Sequence, residues 1–532
     1  MSFADKKHYA APALKTERRA DESNGFHSIE VITERKRKAV VIGAGLGGLS
    51  AAIHLQQDGW DVTIVERNGR VGGRMNITEG EGFQIDMGPT LLMMPEVLHN
   101  LFNYTGRTLS DYLDIQRLDP AYEVLFHDGT SLKMHGNPDE MAQEIARLSP
   151  EDARRFPGMM NGMRGKYYNG RYNFIERQFN SPSSLIRPAT LTGLLKALPM
   201  ESVSSFVGKH MKDERLRQAF TFQTLYLGIS PYDCPAIYAL LPYIEMEFGV
   251  WFPRGGMYAI ADALYRLFID MGGQVLFHHS VDKVLVENGQ AQGVRLEDGT
   301  TLRAGAVVCN MDVPSAYQRL LPDSVKRPSR VKRLNEMEHG CSAYLLYMGV
   351  RDLQTRWGHH TVVLSEDYEG TLQEIMHQKR LPSDPAMYVC IPTRTDPSLA
   401  PSGHDVVYVL TIVPHNNSEI DWQGETPALR ERVLNKLERM GLPELRQKIV
   451  FERRFSPPDF ERTYGCNYGS AFGLSPRFFQ SAYFRPQSRS TEVDGLFFVG
   501  ASTHPGGGIP MVLTSGRLAA EAIRADRRLA VC

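Results

Sequence analysis

Short apolar runs recur along the chain, and their setting separates buried strands from helices. Ala39-Val40-Val41-Ile42 is continuous and apolar, which reads as a strand covered on both faces. Leu49, Ala52, Ile53 and Leu55 then fall on one helical stripe that ends at Gly59, and residues 61–65 read as a second strand. Residues 275–277 and 281–287 are further strands, and Asn288-Gly289 and Asp298-Gly299 are hairpin turn signals. Residues 306–309 and 496–499 are two more buried runs, while 344–350 and 406–413 read as strands of another sheet. Residues 257–271, 426–440 and the stretch from about Met511 read as helices.

The first strand, helix and strand enclose Gly43-x-Gly45-x-x-Gly48, and Glu66 stands at the end of the second strand. Gly43 permits the tight turn, Gly45 lets the backbone approach a pyrophosphate, and Gly48 lets helix and strand pack closely. The helix N-terminus offers free N–H groups to an anion. A carboxylate at position 66 accepts hydrogen bonds from ribose hydroxyls and disfavours a phosphorylated ribose. Together these features specify a dinucleotide site. Near the other end, Gly500 to Pro510 (GASTHPGGGIP) is a second glycine-rich turn between a buried strand and a helix, placed to return to the same ligand.

Composition narrows the class. The chain has 532 residues, 60 basic and 61 acidic, for a net charge of −1. No basic block suggests a nucleic-acid partner. Six scattered cysteines include no CxxC pair, which points to a reducing compartment and away from a zinc site. His278-His279 and His359-His360 are adjacent pairs, and strand alternation would send neighbours to opposite faces, so no metal is expected. No apolar run is long enough to span a bilayer, so any membrane contact is expected to be peripheral and the location cytoplasmic. Residues 156–258 carry aromatics at nearly twice the chain average, which suits either helix packing or an apolar pocket. Within that region residues 183–198 are apolar, with few charges, and are a candidate bilayer contact as well as a candidate buried helix.

Arg70-Val71-Gly72-Gly73-Arg74 and Asp86-Met87-Gly88-Pro89-Thr90 follow Glu66 closely. With these loops the chain resembles the FAD-dependent amine oxidase and carotenoid desaturase superfamily. Gln223 to Gly228, Gly249 to Gly256 (GVWFPRGG), His359 to Val363, Thr395 to Pro401, Gly469 to Phe472 and the GASTHPGGGIP turn narrow the resemblance to bacterial-type phytoene desaturases, over about Lys38 to Ile523. Ser502 departs from the glycine frequent there. The resemblance implies an α/β protein with a discontinuous Rossmann-like FAD domain (38–120, 249–315 and 456–532). It further implies an α+β substrate domain (316–455) and a helical, apolar, membrane-facing region (121–248); the polar, aperiodic stretch 1–37 reads as a disordered tail and is a second departure from the family. The resemblance implies non-covalent FAD held by Gly43, Gly45, Gly48, Glu66, Arg67, Gly73, Arg74, Gly88, Pro89, Thr90, Val281, Gly500, Ala501, Gly508, Ile509, Pro510 and Met511. Arg254 and His504 are the catalytic candidates. The implied partners are a long uncharged isoprenoid, a membrane surface, and a quinone or oxygen as electron acceptor. Desaturation of phytoene to longer polyenes is the expected reaction. A ketolase, a C30 or hydroxycarotenoid desaturase, an amine oxidase and a non-catalytic FAD carrier are the alternatives.

Overall fold

A computed structural model describes residues 37–179 and 201–529. The tail 1–36 and the apolar stretch 183–198 lie outside the described residues. The strand Lys38–Ile42 (β1), the helix Leu46–Gln57 (α1) and the strand Asp61–Val65 (β2) open the fold. β1 is the middle of a five-stranded parallel sheet. β2 and then Gln274–Leu276 flank it on one side, and Ala306–Cys309 and then Leu496–Phe498 on the other. Such a strand is covered on both faces, which is why its apolar run is continuous rather than alternating.

The sheet gathers pieces far apart in sequence, and specific contacts tie them together. α1 packs on the last helix, Ile509–Arg524, where Ser50 Oγ donates to the Leu513 carbonyl at 2.8 Å. A Cβ on Gly516 would come within 2.6 Å of Ser50, so glycine sets this close approach. Beside the sheet, Val281–Glu287, Gln290–Leu296 and Thr301–Arg303 form an antiparallel meander. Its first loop is the Asn288-Gly289 pair, with φ of 51° and 76°, the positive values a two-residue hairpin requires.

A second sheet has seven strands in the order Ile449–Phe455, Ser342–Arg351, His404–Val413, Met387–Cys390, His360–Val363, Tyr122–Leu125, Ser131–Met134. All neighbours are antiparallel except His360–Val363 with Tyr122–Leu125. The last two strands fall inside 121–248, the stretch that reads as helical, where the helices begin only at Pro138. Each is four residues long, too short for its alternation to stand out against a largely helical neighbourhood.

Helix Trp422–Met440 covers one face of this sheet, burying Leu429, Val433, Leu434 and Leu437 against Leu346, Met348, Val407 and Val409. On another face, Val362, Leu364 and Ile412 join an apolar cluster with Phe156, Met159, Val207, Leu240 and Leu241 from the helices Pro150–Gly170, Val203–His210 and Leu240–Phe248. Among the described residues no helix is long and apolar enough to cross a membrane.

Candidate functional site

One cavity of about 960 Å³ runs from the β1–α1 turn to the second sheet. Its polar wing begins at Ile42, Gly43, Gly45, Leu46 and Gly47. The residue preceding α1 is Gly45, which has no side chain to bond the first-turn N–H groups, so these stay available to an anion. Helix Ile509–Arg524 enters the same cavity and is preceded by Gly508, again without a side-chain cap. Two open helix N-termini thus converge on one space, with Gly500 between them. At Gly500 φ is +96°, and a Cβ there would lie 2.5 Å from Asn310 Oδ1. Gly48 faces away from the cavity: a Cβ on it would meet the Gly43 carbonyl at 2.2 Å, so its role is close packing.

Glu66 is buried at the end of β2 and lines the cavity. Its Oε2 accepts from the Ala44 N–H at 2.8 Å, and its Oε1 accepts from Asn68 N–H and Nδ2 at 2.9 Å. These bonds aim the carboxylate and leave lone pairs free for hydroxyl donors. Arg74 reaches the wall, donating to the Ala471 carbonyl at 3.3 Å with Asp312 3.7 Å away. Arg67 also lines it, held by the Thr463 carbonyl. Asp86 fixes the next loop. Its carboxylate accepts from the N–H groups of Met257 and Tyr258 at 2.7 and 2.9 Å, and burial pushes it up to about 6 despite those bonds. Tyr347 Oη donates to the Met87 carbonyl at 2.8 Å. The two anchors hold Gly88, Pro89 and Thr90 against the cavity.

The structure therefore brings nearly all the expected cofactor residues to one wall. Gly73, Val281, Ala501, Gly508, Ile509, Pro510 and Met511 line it with those already named. The two catalytic candidates part company. Arg254 does not line the cavity; it is exposed and pairs with Asp114 at 3.1 Å, because the GVWFPRGG turn points its side chain to solvent. His504 does line it, buried against Phe179, with Nε2 bonded to the Arg177 carbonyl at 2.9 Å. Burial lowers it to about 4, so it is neutral at pH 7 and ties two segments together.

The other wing is apolar. Leu225, Leu241, Ile244, Val362, Leu364, Leu410 and Ile412 line it, with aromatic rings from Phe222, Tyr226, Tyr388 and Tyr408. The aromatic excess of 156–258 thus divides. Phe156, Tyr167 and Phe220 are core, while Phe174, Phe179, Phe222, Tyr226 and Tyr238 line the cavity. Behind Tyr226 lies Glu245, buried, with Oε2 accepting from Tyr122 Oη at 2.6 Å. Burial pushes this carboxyl up to about 7 against the hydrogen bonds that would lower it. His359 and His360, expected on opposite faces, have ring centres 4.2 Å apart, because the strand starts at His360 and His359 sits in the loop before it. Polar groups reaching an apolar wing carry no sequence pattern, and these were not legible beforehand.

This geometry agrees with the known proteins the chain matches. The model of the family described as flavin containing amine oxidoreductase matches residues 46–524. The chain belongs to that family. Its cofactor is accordingly FAD, which the paired helix N-termini, Glu66 and the glycine cradle fit. The flavoprotein is 41% identical over 488 residues to a zeta-carotene-forming phytoene desaturase of Myxococcus xanthus, covering 91% of this chain and 93% of that one. It is 36% identical over 494 residues to a 4,4'-diapophytoene desaturase (4,4'-diaponeurosporene-forming) of Staphylococcus haemolyticus, covering 91% and 98%. Among solved structures, an oxidoreductase from Methanosarcina mazei superposes with a TM-score of 0.64 at 20% identity, covering 92% of this chain and 99% of the other. Cyclohexylamine oxidase from Brevibacterium oxydans gives 0.57 at 16%, covering 92% and 100%. At these identities the two structures establish the fold alone.

Proposed function

We propose that this flavoprotein desaturates an uncharged carotenoid precursor of the phytoene type. The observation that carries the reading is the apolar wing: among the described residues it is walled by Leu225, Leu241, Ile244, Val362, Leu364, Leu410, Ile412 and four aromatic rings, while the charged residues lining the cavity, such as Glu66, Arg67 and Arg74, lie outside that set. A cationic amine would enter such a wing without a carboxylate to pair with, at a high desolvation cost. A polyene gains there: at about 25 cal/mol per Å², burial of even part of a long hydrocarbon supplies ample binding energy. Bound FAD supplies the acceptor for a hydride from a carbon beside existing double bonds. The protein's share is position and dryness. Gly88, Pro89 and Thr90, fixed by Asp86 and Tyr347, sit where the two wings meet. Leu410, Ile412, Val362 and Leu364 hold the chain by shape. His504, neutral and tied to Arg177, closes the wall without adding charge.

A substrate this apolar resides in lipid, so the enzyme works at a membrane surface. Phe478, Tyr483 and Phe484 line the cavity, and the adjacent Phe479 is 75% exposed, a suitable lipid contact. Quinone or oxygen takes the electrons afterwards. The test is purified holoprotein with phytoene in liposomes. Absorbance moves from the ultraviolet into the visible as conjugation lengthens, without added nicotinamide. Holoprotein that leaves phytoene unchanged and oxidises an amine refutes the reading. A C30 precursor is the second reading, because the chain is also similar, at the lower identity of 36%, to a diapophytoene desaturase; competition between the two polyenes decides it.

A further inference from the structure

The apolar wing carries a row of hydrogen-bonding groups for which a hydrocarbon has no use as binding partners. Tyr388, on the strand Met387–Cys390, lines the cavity beside Thr90. Thr90 Oγ1 donates to Tyr388 Oη at 2.7 Å, and Tyr388 Oη lies 2.7 Å from His360 Nδ1. Tyr388 has one proton. With Thr90 donating to its oxygen, that proton points to His360 Nδ1, and the ring proton of His360 sits on Nε2. His360 is buried, and its Nε2 has no partner among the described residues. Its ring centre lies 4.2 Å from that of His359, with the planes tilted by 56°, and His359 Nδ1 lies 2.5 Å from Thr395 Oγ1. Thr395 is half-buried, so the His359 end of the group lies nearer the surface, with no hydrogen bond between the two histidines.

We propose, on the reading of the protein as a desaturase, that Tyr388 is the catalytic residue that receives the substrate proton, with His360 as its positioning partner. One C–H bond breaks with its electron pair, and the hydride goes to oxidised FAD, which is thereby reduced. The neighbouring C–H bond breaks the other way: its electron pair becomes the new C=C bond, and its proton goes to Tyr388 Oη. Tyr388's own proton passes to His360 Nδ1, so the tyrosine ends neutral. His360 then gives up its Nε2 proton to water, since no protein group among the described residues accepts from Nε2. The substrate loses two electrons, and the quinone or oxygen that reoxidises the flavin takes up a proton with the electrons.

His360 suits a transfer role rather than a storage role. Burial, with His359 beside it, keeps it well below the usual imidazole range, so it does not hold a proton at rest. The other titratable groups packed around the pair are Cys390, which faces His360 across the strand register, and Tyr226, Tyr408 and Asp86. Burial pushes Asp86 up to about 6. No cation among them stabilises a tyrosinate, which is why the proton transfer has to be concerted with His360.

The test compares wild-type holoprotein with Tyr388→Phe, His360→Gln and His360→Leu. Loss of a positioned proton acceptor costs roughly 10²- to 10⁴-fold in rate. Tyr388→Phe keeps the ring, and is expected to bind FAD with an unchanged flavin spectrum, hold KM, and lose kcat by at least about 100-fold. His360→Gln offers a carbonyl oxygen to the tyrosine proton, whereas His360→Leu offers none. A positioning role leaves the Gln variant faster than the Leu variant; a packing role treats both alike. Independently of turnover, ¹⁵N NMR of labelled holoprotein is expected to show His360 Nδ1 as an acceptor whose shift moves in Tyr388→Phe. Wild type that ignores phytoene overturns the substrate reading and this step with it. Active wild type with Tyr388→Phe within about threefold of it overturns the step alone. If Tyr388→Phe does not fold, equal rates for the two His360 variants, or an unprotonated Nε2 by NMR, overturn it.

Discussion

Replacing Glu245 with Gln should stabilise the protein, and more so as pH rises. Glu245 is 3% exposed and sits among Tyr122, Gln223 and Tyr226. In the fold its carboxyl titrates at about 7, against 4.5 for the free side chain, because loss of hydration outweighs its hydrogen bonds. The folded pKa is raised, so the fold binds more protons than the unfolded chain between those values. Its contribution is therefore most favourable below pH 4.5 and is lost as pH rises through 7. At 1.36 kcal/mol per unit, ionising this buried group costs the wild type about 3 kcal/mol by pH 8. Gln keeps the shape and an oxygen for Tyr122 Oη, and has no proton to lose. Asp86 has the same sign of dependence but is present in both proteins and cancels in the difference. Denaturant midpoints of the two proteins, both loaded with FAD, are to be measured from pH 5 to pH 8. The expected difference is about 1 kcal/mol at pH 5 and rises to about 3 kcal/mol in favour of Glu245→Gln at pH 8. A difference that stays flat refutes the argument, since it means that the carboxylate is hydrated or paired in solution.

Two further outcomes concern the cofactor. Glu66→Ala removes the charged acceptor at the end of β2 and should weaken FAD binding by about 1.5–3 kcal/mol, read as the flavin Kd; in the same preparation, acid precipitation should release the flavin. Cys466 lines the cavity, but burial pushes its thiol up to about 11, so it is protonated and a poor nucleophile. Flavin retained in the pellet by wild type and released by Cys466→Ser contradicts that. Gly500→Ala forces a side chain to φ +96° and onto Asn310 Oδ1, and should cost on the order of 1–3 kcal/mol in stability together with flavin retention, measured by thermal unfolding and absorbance.

Local rules reach as far as local causes do. β1, α1, β2 and the meander were legible because each rests on a short-range signal. β2 and Val281–Glu287 fall where the pattern put them, and the last helix starts at Ile509, two residues before the expected point. Proline at its second position explains the shift, since Pro is compatible with a first helical turn. Glu66 was legible for the same reason: one strand end and one turn define it. Tyr122–Leu125 and Ser131–Met134 were not, because they become strands by pairing with Val362 and its neighbours, some 240 residues away. Arg254 shows the reverse error: it belongs to a recognisable motif, yet its turn sends the side chain to solvent and Asp114.

The substrate wing is the extreme case of the same limit. Leu241, Ile244, Val362, Leu364, Leu410 and Ile412 are ordinary core residues by type, and nothing in their spacing separates a wall from a core. What makes them a wall is that the helix Leu240–Phe248 and the second sheet stand far enough apart to leave space. Tyr388, Thr90 and His360 come from three separate segments and meet only because His360–Val363 and Met387–Cys390 are neighbours in that sheet. A protein handling an uncharged chain needs few polar groups at its reacting centre, so the few present have to be placed by tertiary structure rather than by motif. The glycine turns, by contrast, contact phosphates through backbone, and backbone contact is what glycine spacing encodes. The cofactor half of this site is therefore written in sequence and the substrate half in packing.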